Sequence, residues 1–410
     1  MPLNKNNVIL DTNILMGCRS PKELIEHYKD FNILVTMGTV RELDRLKMSD
    51  GRRGFEARSG LRILREYSDK ISIIEDKNID LNELGTTVDG NIIITAKKDG
   101  STIVTNDLSM STIATGLGVK STQYFEPKDQ VRKGVHIIEV GEEIRDGENI
   151  FLLFALLDDV RDNEYIIVYE FGRMTGVYIK LPLKGGYEEI RKPYIETKFF
   201  GNVSALNMDP FQMCAIDSLT RNQITMLTGP AGSGKTFLAL AAQWSLVEKG
   251  EIDGITIFVN PVKSKNSKEI GFYKGDQVDK LLQEGIGAIL AAKLGGGDRE
   301  VIRAHIETGL ISILPVSDIR GIEVSSNRSL FITEAQNLDV ELMRLALQRA
   351  EKCRVFIEGD PGTQLDGWMY EGDNNGMKRA IEVFAGQDFF GNVALENIYR
   401  SRIAEIAELM

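Results

Sequence analysis

Short apolar runs alternate with amphipathic stretches along residues 1–125. Val8-Ile9-Leu10, Ile33-Leu34-Val35 and Thr102-Ile103-Val104 predict buried strands, while Thr39 to Lys47 and Leu61 to Tyr67 predict helices. Such alternation is the pattern of a parallel sheet covered by helices. It stops at Phe125 to Gly134, where Pro127 and mixed charge mark a boundary. From Val135 to about Phe200 helical periodicity is weak. There Ile166-Ile167-Val168-Tyr169 and Val177-Tyr178-Ile179 flank Gly172 to Gly176 and predict a hairpin. From Ala205 onward the α/β alternation returns. Ile224 to Thr228, Ser329 to Ile332 and Val355 to Ile357 read as strands, Phe237 to Lys249 as a helix, and Ser401 to Met410 as the last helix. The expected division is 1–125, 126–204 and 205–410.

The 410 residues are too many for one typical domain, and 42% hydrophobic with 27% charged residues is a globular composition. No apolar run approaches membrane-spanning length, the longest being Ile150 to Leu157. The N-terminus lacks a basic segment followed by an apolar stretch, so no signal peptide is expected. Cys18, Cys214 and Cys353 are far apart and odd in number, and His27, His136 and His305 are scattered. Neither set makes a disulfide framework or a metal centre, and a reducing cytoplasm is the expected home. A net charge of −11 argues mildly against nucleic acid, although binding depends on local patches.

The strongest chemical signal is Gly229-Pro230-Ala231-Gly232-Ser233-Gly234-Lys235-Thr236, which fits the phosphate-binding loop G-x-x-x-x-G-K-[ST] between an expected strand and an expected helix. Its glycines let successive N–H groups face phosphate oxygens, and the helix N-terminus adds partial positive charge. Lys235 would reach the β and γ phosphates and Thr236 would hold Mg²⁺. Ahead of the loop, Gln212 offers an amide that could read adenine. Behind it, Glu334 sits where a carboxylate would orient the attacking water, and Gln336 where an amide would sense the γ phosphate. Asp360 and Gln364 follow another strand and could couple phosphate state to a nucleic acid surface; a plain β-turn is the alternative. Arg400 would serve as an arginine finger, while Arg402 reads as a surface residue.

Residues 205–410 resemble a PhoH-family ATPase, related to superfamily 1 helicases. The matches are Gly229 to Thr236, Ile270-Gly271-Phe272 with Gly275-Asp276, Ile319-Arg320-Gly321, Glu334-Ala335-Gln336-Asn337, Gly359-Asp360 with Gln364, and Arg400-Ser401. The resemblance implies a RecA-like core, ATP with Mg²⁺, a homo-oligomer in the form of a hexameric ring, and an RNA partner. Three departures bear on turnover rather than on nucleotide binding. Thr333 stands where the residue before the Glu is normally a magnesium-supporting Asp, Asn260 precedes Pro261 where Arg is common, and the Gly359 to Gln364 turn is longer. Asp360 is the expected substitute carboxylate.

In the first domain Asp11 and Asp107 close strand-like runs, Glu42 lies in a helical segment, and Asp89 opens the apolar helix or strand Asn91 to Ala96. Strand ends are where an open parallel sheet builds its site. Clustered carboxylates are tolerated mainly with cations, and hard oxygen ligands select Mg²⁺ or Mn²⁺. Asp11-Thr12-Asn13-Ile14-Leu15, Arg41-Glu42-Leu43-Asp44, Asp89 with Ile92, and Thr105-Asn106-Asp107 resemble the PIN-domain nucleases. That resemblance implies metal binding by Asp11, Glu42, Asp89 and Asp107, RNA hydrolysis, and carboxylates fixed by Asn13 or Thr105. The expected fold class is α/β: an N-terminal PIN-like parallel sheet domain, a small β-rich connector and a C-terminal RecA-like P-loop ATPase domain. Two stretches suit single-stranded RNA: Arg52, Arg53, Arg58, Arg62 and Arg65, and Lys263, Lys265 and Lys268 with Phe272 and Tyr273. The expected activity is an ATP-dependent RNA helicase or translocase with an endoribonuclease. The alternative is a nucleotide-sensing, RNA-binding oligomer with weak turnover. DNA in place of RNA and a partner protein that inhibits the nuclease are both compatible with these residues.

Overall fold

The computed structural model describes residues 6–76, 87–125, 131–140, 159–182, 185–259, 285–294, 298–316, 319–350, 352–362 and 367–399, with 150, 151, 153, 154, 157 and 365. The chain forms two compact units, residues 1–130 and 131–410.

The first unit is a five-stranded sheet. Its strands are β1 (Asn7–Leu10), β2 (Asn32–Thr36), β3 (Ile71–Ile74), β4 (Thr102–Val104) and β5 (Ser121–Thr122), in the order β3-β2-β1-β4-β5. Every pairing is parallel. The apolar runs are continuous rather than alternating because both faces are buried. Val8, Leu10, Ile33, Val35 and Val104 enter one core with Leu43, Ala57 and Ile63. Ile9, Leu34 and Ile103 enter the opposite core with Ile92, Ala96 and Met110. The order reverses direction between β1 and β4. In a doubly wound sheet this is the crevice where ligands bind. Asn91 to Ala96, open as helix or strand from sequence, lies within the helix Val88–Asp99.

The second unit begins with a mixed sheet of β6 (Val135–Val140), β7 (Tyr165–Glu170), β8 (Arg173–Lys180) and β9 (Tyr187–Glu189), followed by the β10 (Tyr194–Thr197) and β11 (Gly201–Ser204) pair. The expected hairpin is present, with a tighter turn. Glu170 pairs with Arg173 across two residues, Phe171 and Gly172, both at positive φ (49° and 70°). That is the type I′ connection whose twist matches a two-stranded ribbon.

The second sheet of this unit has six parallel strands in the order β14-β13-β15-β16-β12-β17. They are β12 (Ile224–Thr228), β13 (Gly254–Val259), β14 (Ile311–Pro315), β15 (Arg328–Ile332), β16 (Arg354–Gly359) and β17 (Phe390–Ala394). Both faces are again covered. Met226, Leu330, Ile332 and Val355 pack with Met343 and Met377. Leu227, Ile257, Phe331 and Phe356 pack with Leu238, Leu240 and Ile216, and the same core takes Tyr165, Ile167, Val177 and Ile179 from the mixed sheet. Tyr165 also donates its hydroxyl to Asp217 at 3.0 Å. The connector and the P-loop sheet therefore share one hydrophobic core.

An ionic knot fixes the entry to this unit. Arg132 and His136 both hold Glu164, whose side chain is 5% exposed, and Arg132 also holds Asp159. Burial opposes ionisation, but bonds from His136, Arg132 and the Arg161 amide hold the Glu164 carboxyl down at about 2. A depressed carboxyl contributes stability above its unfolded value of 4.5, and that contribution is lost as pH falls towards 2. Glu164→Gln should lower stability at neutral pH by roughly 2 kcal/mol. It should also flatten the acid-side loss seen in the wild type. Urea unfolding followed by tryptophan fluorescence checks this, since Trp244 and Trp368 both belong to this unit.

Candidate active sites

The first site lies at the carboxyl ends of β1 and β4. Asp11 follows β1, is 3% exposed, and caps the helix Thr12–Gly17 by accepting from Thr12 N at 2.6 Å. Its other oxygen accepts from Thr105 Oγ1 at 2.7 Å. The Thr105 hydroxyl also accepts from Asn13 Nδ2 at 3.1 Å and Asp107 N at 3.0 Å. Its one donor and two lone pairs are then all used, which fixes the rotamer facing Asp11. Glu42, on the helix Met37–Leu46, is held by Thr12 Oγ1 at 2.7 Å. Asp107 caps the helix Leu108–Gly116 with Oδ1. Asp89 lies in the first turn of Val88–Asp99.

These four carboxylates form one electrostatic group. Burial pushes the Asp11 carboxyl up to about 6 against the pull of Thr105, and the charges of Asp89 and Glu42 add to the rise. Burial, then Glu42 and Asp107, likewise raise Asp89. No Lys or Arg among the described residues ion-pairs with Asp11, Asp89 or Asp107; Arg45 reaches Glu42 only at 4.0 Å. Among the described residues no three acids, histidines or cysteines converge into a ready-made cation cage. As a donor set, four oxygen-bearing side chains with uncompensated charge still fit hard divalent ions.

The second site lies at the carboxyl ends of β12, β15, β16 and β17. The phosphate loop leaves β12 after Thr228 and enters a helix that starts at Lys235, two residues earlier than the sequence suggests. Gly229 has φ 134°, and a Cβ there would meet Leu395 O at 2.1 Å, so only glycine fits. Lys235 Nζ donates to Gly229 O at 2.6 Å and Pro230 O at 2.9 Å, folded back on its own loop. Ser233 Oγ holds Pro230 O at 2.9 Å. The Gln212 amide is bonded once at each end: Nε2 donates to Ser233 O at 3.2 Å and Oε1 accepts from Leu206 N at 2.8 Å, leaving one N–H and one lone pair. It braces the loop from the wall of a cavity. That cavity, of about 290 Å³, is lined by Phe200, Leu206, Gln212, Gly234, Phe237 and Tyr399 among others. A flat aromatic base fits such a lining.

Beyond β17 the chain is tied to the loop. Leu395 N donates to Thr228 O at 2.8 Å and Tyr399 N to Gly232 O at 3.0 Å. The Tyr399 hydroxyl donates to Asp209 at 2.7 Å, and burial, with this contact, pushes it up to about 12. Across the crevice, Glu334 takes a left-handed conformation (φ 51°) that a non-glycine residue adopts only when its surroundings demand it. Gln336 Nε2 donates to Glu334 Oε2 at 2.7 Å, and Gln336 Oε1 accepts from Asp360 N at 3.1 Å. This amide bridges the ends of β15 and β16. A Cβ at Gly359 would lie 2.3 Å from Gln336 Oε1, so the bridge requires glycine there.

Asp360, the expected substitute for the missing carboxylate at position 333, directly follows β16. Asp360 Oδ1 accepts from the Gly362 amide at 3.0 Å, within its own turn. The acid that touches Thr333 is Glu358, at 2.5 Å from Oγ1. Burial, with the charge of Glu334, raises Glu358, opposed by Lys235. Sequence reasoning passed over Glu358 and the Thr12 contact because neither lies in a motif position with a named role. Arg400, Gln364, Arg402 and the basic stretch Lys263, Lys265, Lys268 with Phe272 and Tyr273 lie outside the described residues. Arg52, Arg53, Arg58, Arg62 and Arg65 are exposed on the helix Gly51–Glu66; Arg52 pairs with Glu56, and Arg58 donates to Lys47 O.

The sequence profile described as PhoH-like protein matches residues 206–410, and the one described as PIN domain matches residues 8–125. Protein PhoH2 of Bacillus subtilis (strain 168) is 32% identical over 205 residues, covering 48% of this chain and 45% of that protein. Protein PhoH2 of Thermobispora bispora is 27% identical over 209 residues, with the same two shares. Protein PhoH of Escherichia coli (strain K12) is 28% identical over 200 residues, covering 47% of this chain and 54% of that protein. The match spans about half the length of these curated relatives. No helix among the described residues is long and apolar enough to cross a membrane.

Proposed function

This chain belongs to the PhoH-like protein family and carries a PIN domain ahead of that region, and from that premise we propose an ATP-dependent RNA helicase or translocase that also cuts RNA. The observation that carries the reading is the presence of two strand-end sites in one chain. One is a phosphate loop facing Glu334 and Gln336; the other is a group of four electrostatically coupled carboxylates.

In the nucleotide site, loop amides and the helix N-terminus receive the phosphates. Lys235 exchanges its loop carbonyls for phosphate oxygens, and Thr236 would hold Mg²⁺. Glu334 orients the attacking water. Gln336, already bonded to both Glu334 and Asp360, relays the presence of the γ phosphate to the β16 turn. Arg400 neutralises transition-state charge. Gln212 holds the loop in shape beside the base cavity. In the nuclease site Asp11, Glu42, Asp89 and Asp107 would hold Mg²⁺ or Mn²⁺, which would supply Lewis-acid activation of water and charge stabilisation at the leaving oxygen. Thr105 and Thr12 keep two of these carboxylates in place. The exposed arginines of Gly51–Glu66 offer a track for a single strand. A hexameric ring of this chain is the proposed working assembly.

The test is ATP hydrolysis and strand cleavage by the wild-type chain on matched single-stranded RNA and DNA, with Mg²⁺ and with Mn²⁺. RNA-stimulated turnover and RNA cleavage are the expected results. ATP binding without stimulated turnover would turn the reading to a nucleotide-sensing oligomer. Preference for the DNA strand would reassign the substrate, since only the 2′-hydroxyl separates the two.

A further inference from the structure

Glu358 has no part in the roles above, yet it is 2% exposed in the wall of the nucleotide crevice. It lies on β16, between β15 and β12 in the sheet. On the β12 side its register partner is Leu227, and Thr228 pairs with Gly359, so Glu358 stands at the level where the phosphate loop is about to leave the sheet. On the β15 side its Oε1 accepts from Thr333 Oγ1 at 2.5 Å and faces Glu334 N at 3.4 Å. Lys235 acts on it electrostatically, but no ion pair among the described residues neutralises it, and Oε2 has no protein donor among them.

A buried carboxylate held on one oxygen only, by a hydroxyl and a long amide bond, is costly, and an apolar side chain of similar volume would suit the strand better on packing grounds alone. Position 333, one strand away, is where a motor-type ATPase carries the Asp that supports Mg²⁺. We propose that Glu358 supplies, from the neighbouring strand, the metal-supporting carboxylate that position 333 lacks, with the Thr333 hydroxyl fixing its direction. Thr333 donates to one oxygen and leaves the other to accept a hydrogen bond from a water on the nucleotide-bound ion. Glu358 is then a positioning residue acting through that ion's water shell. The inference rests on the ATP-binding reading above.

The experiment compares the affinity of the full chain for a fluorescent ATP analogue with Mg²⁺ and with EDTA, in the wild type, Glu358→Gln, and the double exchange Thr333→Asp with Glu358→Thr. Wild type should bind more tightly with Mg²⁺. Glu358→Gln should lose about tenfold or more of that tightening while its affinity in EDTA stays as in the wild type. The double exchange should restore the Mg²⁺ dependence, which a merely structural Glu358 would not predict. Full Mg²⁺ dependence in Glu358→Gln, or its loss in the double exchange, would overturn the inference. If Glu358→Gln fails to fold, Glu358→Thr with Thr333 kept takes its place: loss of the Mg²⁺ dependence is expected, and its full retention would overturn the inference. Absence of analogue binding by the wild type would bring down the ATP-binding reading itself.

Discussion

Lys235→Ala is expected to lower ATP hydrolysis by at least about a thousandfold, some 4 kcal/mol of transition-state stabilisation. Lys235 is 7% exposed, and among the described residues its ammonium is held by the carbonyls of Gly229 and Pro230. Those neutral acceptors are weaker partners than phosphate oxygens, so the charge is desolvated in advance and free to transfer its bonds. Alanine removes a cation acting on buried Glu358, so nearby negative charge then opposes an incoming triphosphate. Phosphate release in a coupled assay gives the number. Metal-dependent cleavage of unstructured RNA by the same variant is the internal control and should persist. Retention of more than about a tenth of wild-type turnover would contradict the assigned role of Lys235.

Asp11→Asn is expected to do the reverse: cleavage falls by about a thousandfold and ATP hydrolysis persists. The substitution keeps the shape and removes a buried charge that interacts with both Asp89 and Glu42. Its effect on stability should be small and of opposite sign to most core changes. Loss of a buried, repelled carboxylate relieves roughly 1–3 kcal/mol, but the new amide meets a Thr105 hydroxyl whose lone pairs are already taken by Asn13 and Asp107. Melting curves with and without Mn²⁺ separate the two effects. The wild type should gain stability from the ion and the variant should not. An undiminished cleavage rate in Asp11→Asn would remove the carboxylate group as the nuclease site.

The parts legible in sequence are those encoded locally. The phosphate loop, β12, and the apolar runs of β1, β2 and β4 are each set by neighbours within a few residues, and each is present. Asp11 and Asp107 were readable because both close such runs beside the reversal of strand order. What escaped depends on strand register. Thr333 and Glu358 are 25 residues apart and meet only because β15 and β16 are neighbours, with Ile332 opposite Ile357. The amide of Gln212 was visible, but its commitment to Ser233 and Leu206 is a tertiary fact. The expected hairpin was right in kind, and its turn was misplaced because Gly176 suggested a longer loop; instead it lies inside β8.

The core shared between the mixed sheet and the P-loop sheet decides how this polypeptide can be dissected. A recombinant fragment starting near residue 205 would strip Tyr165, Ile167, Val177 and Ile179 from the face they cover and leave the Asp217 carboxylate without its tyrosine. It would also remove Lys133 and Arg132, which accept hydrogen bonds from Ala394 and Asn392 along the outer edge of β17. Biochemists isolating the P-loop half should therefore cut ahead of Val131, where the second compact unit begins, and treat the intervening strands as integral to that unit rather than as a tether.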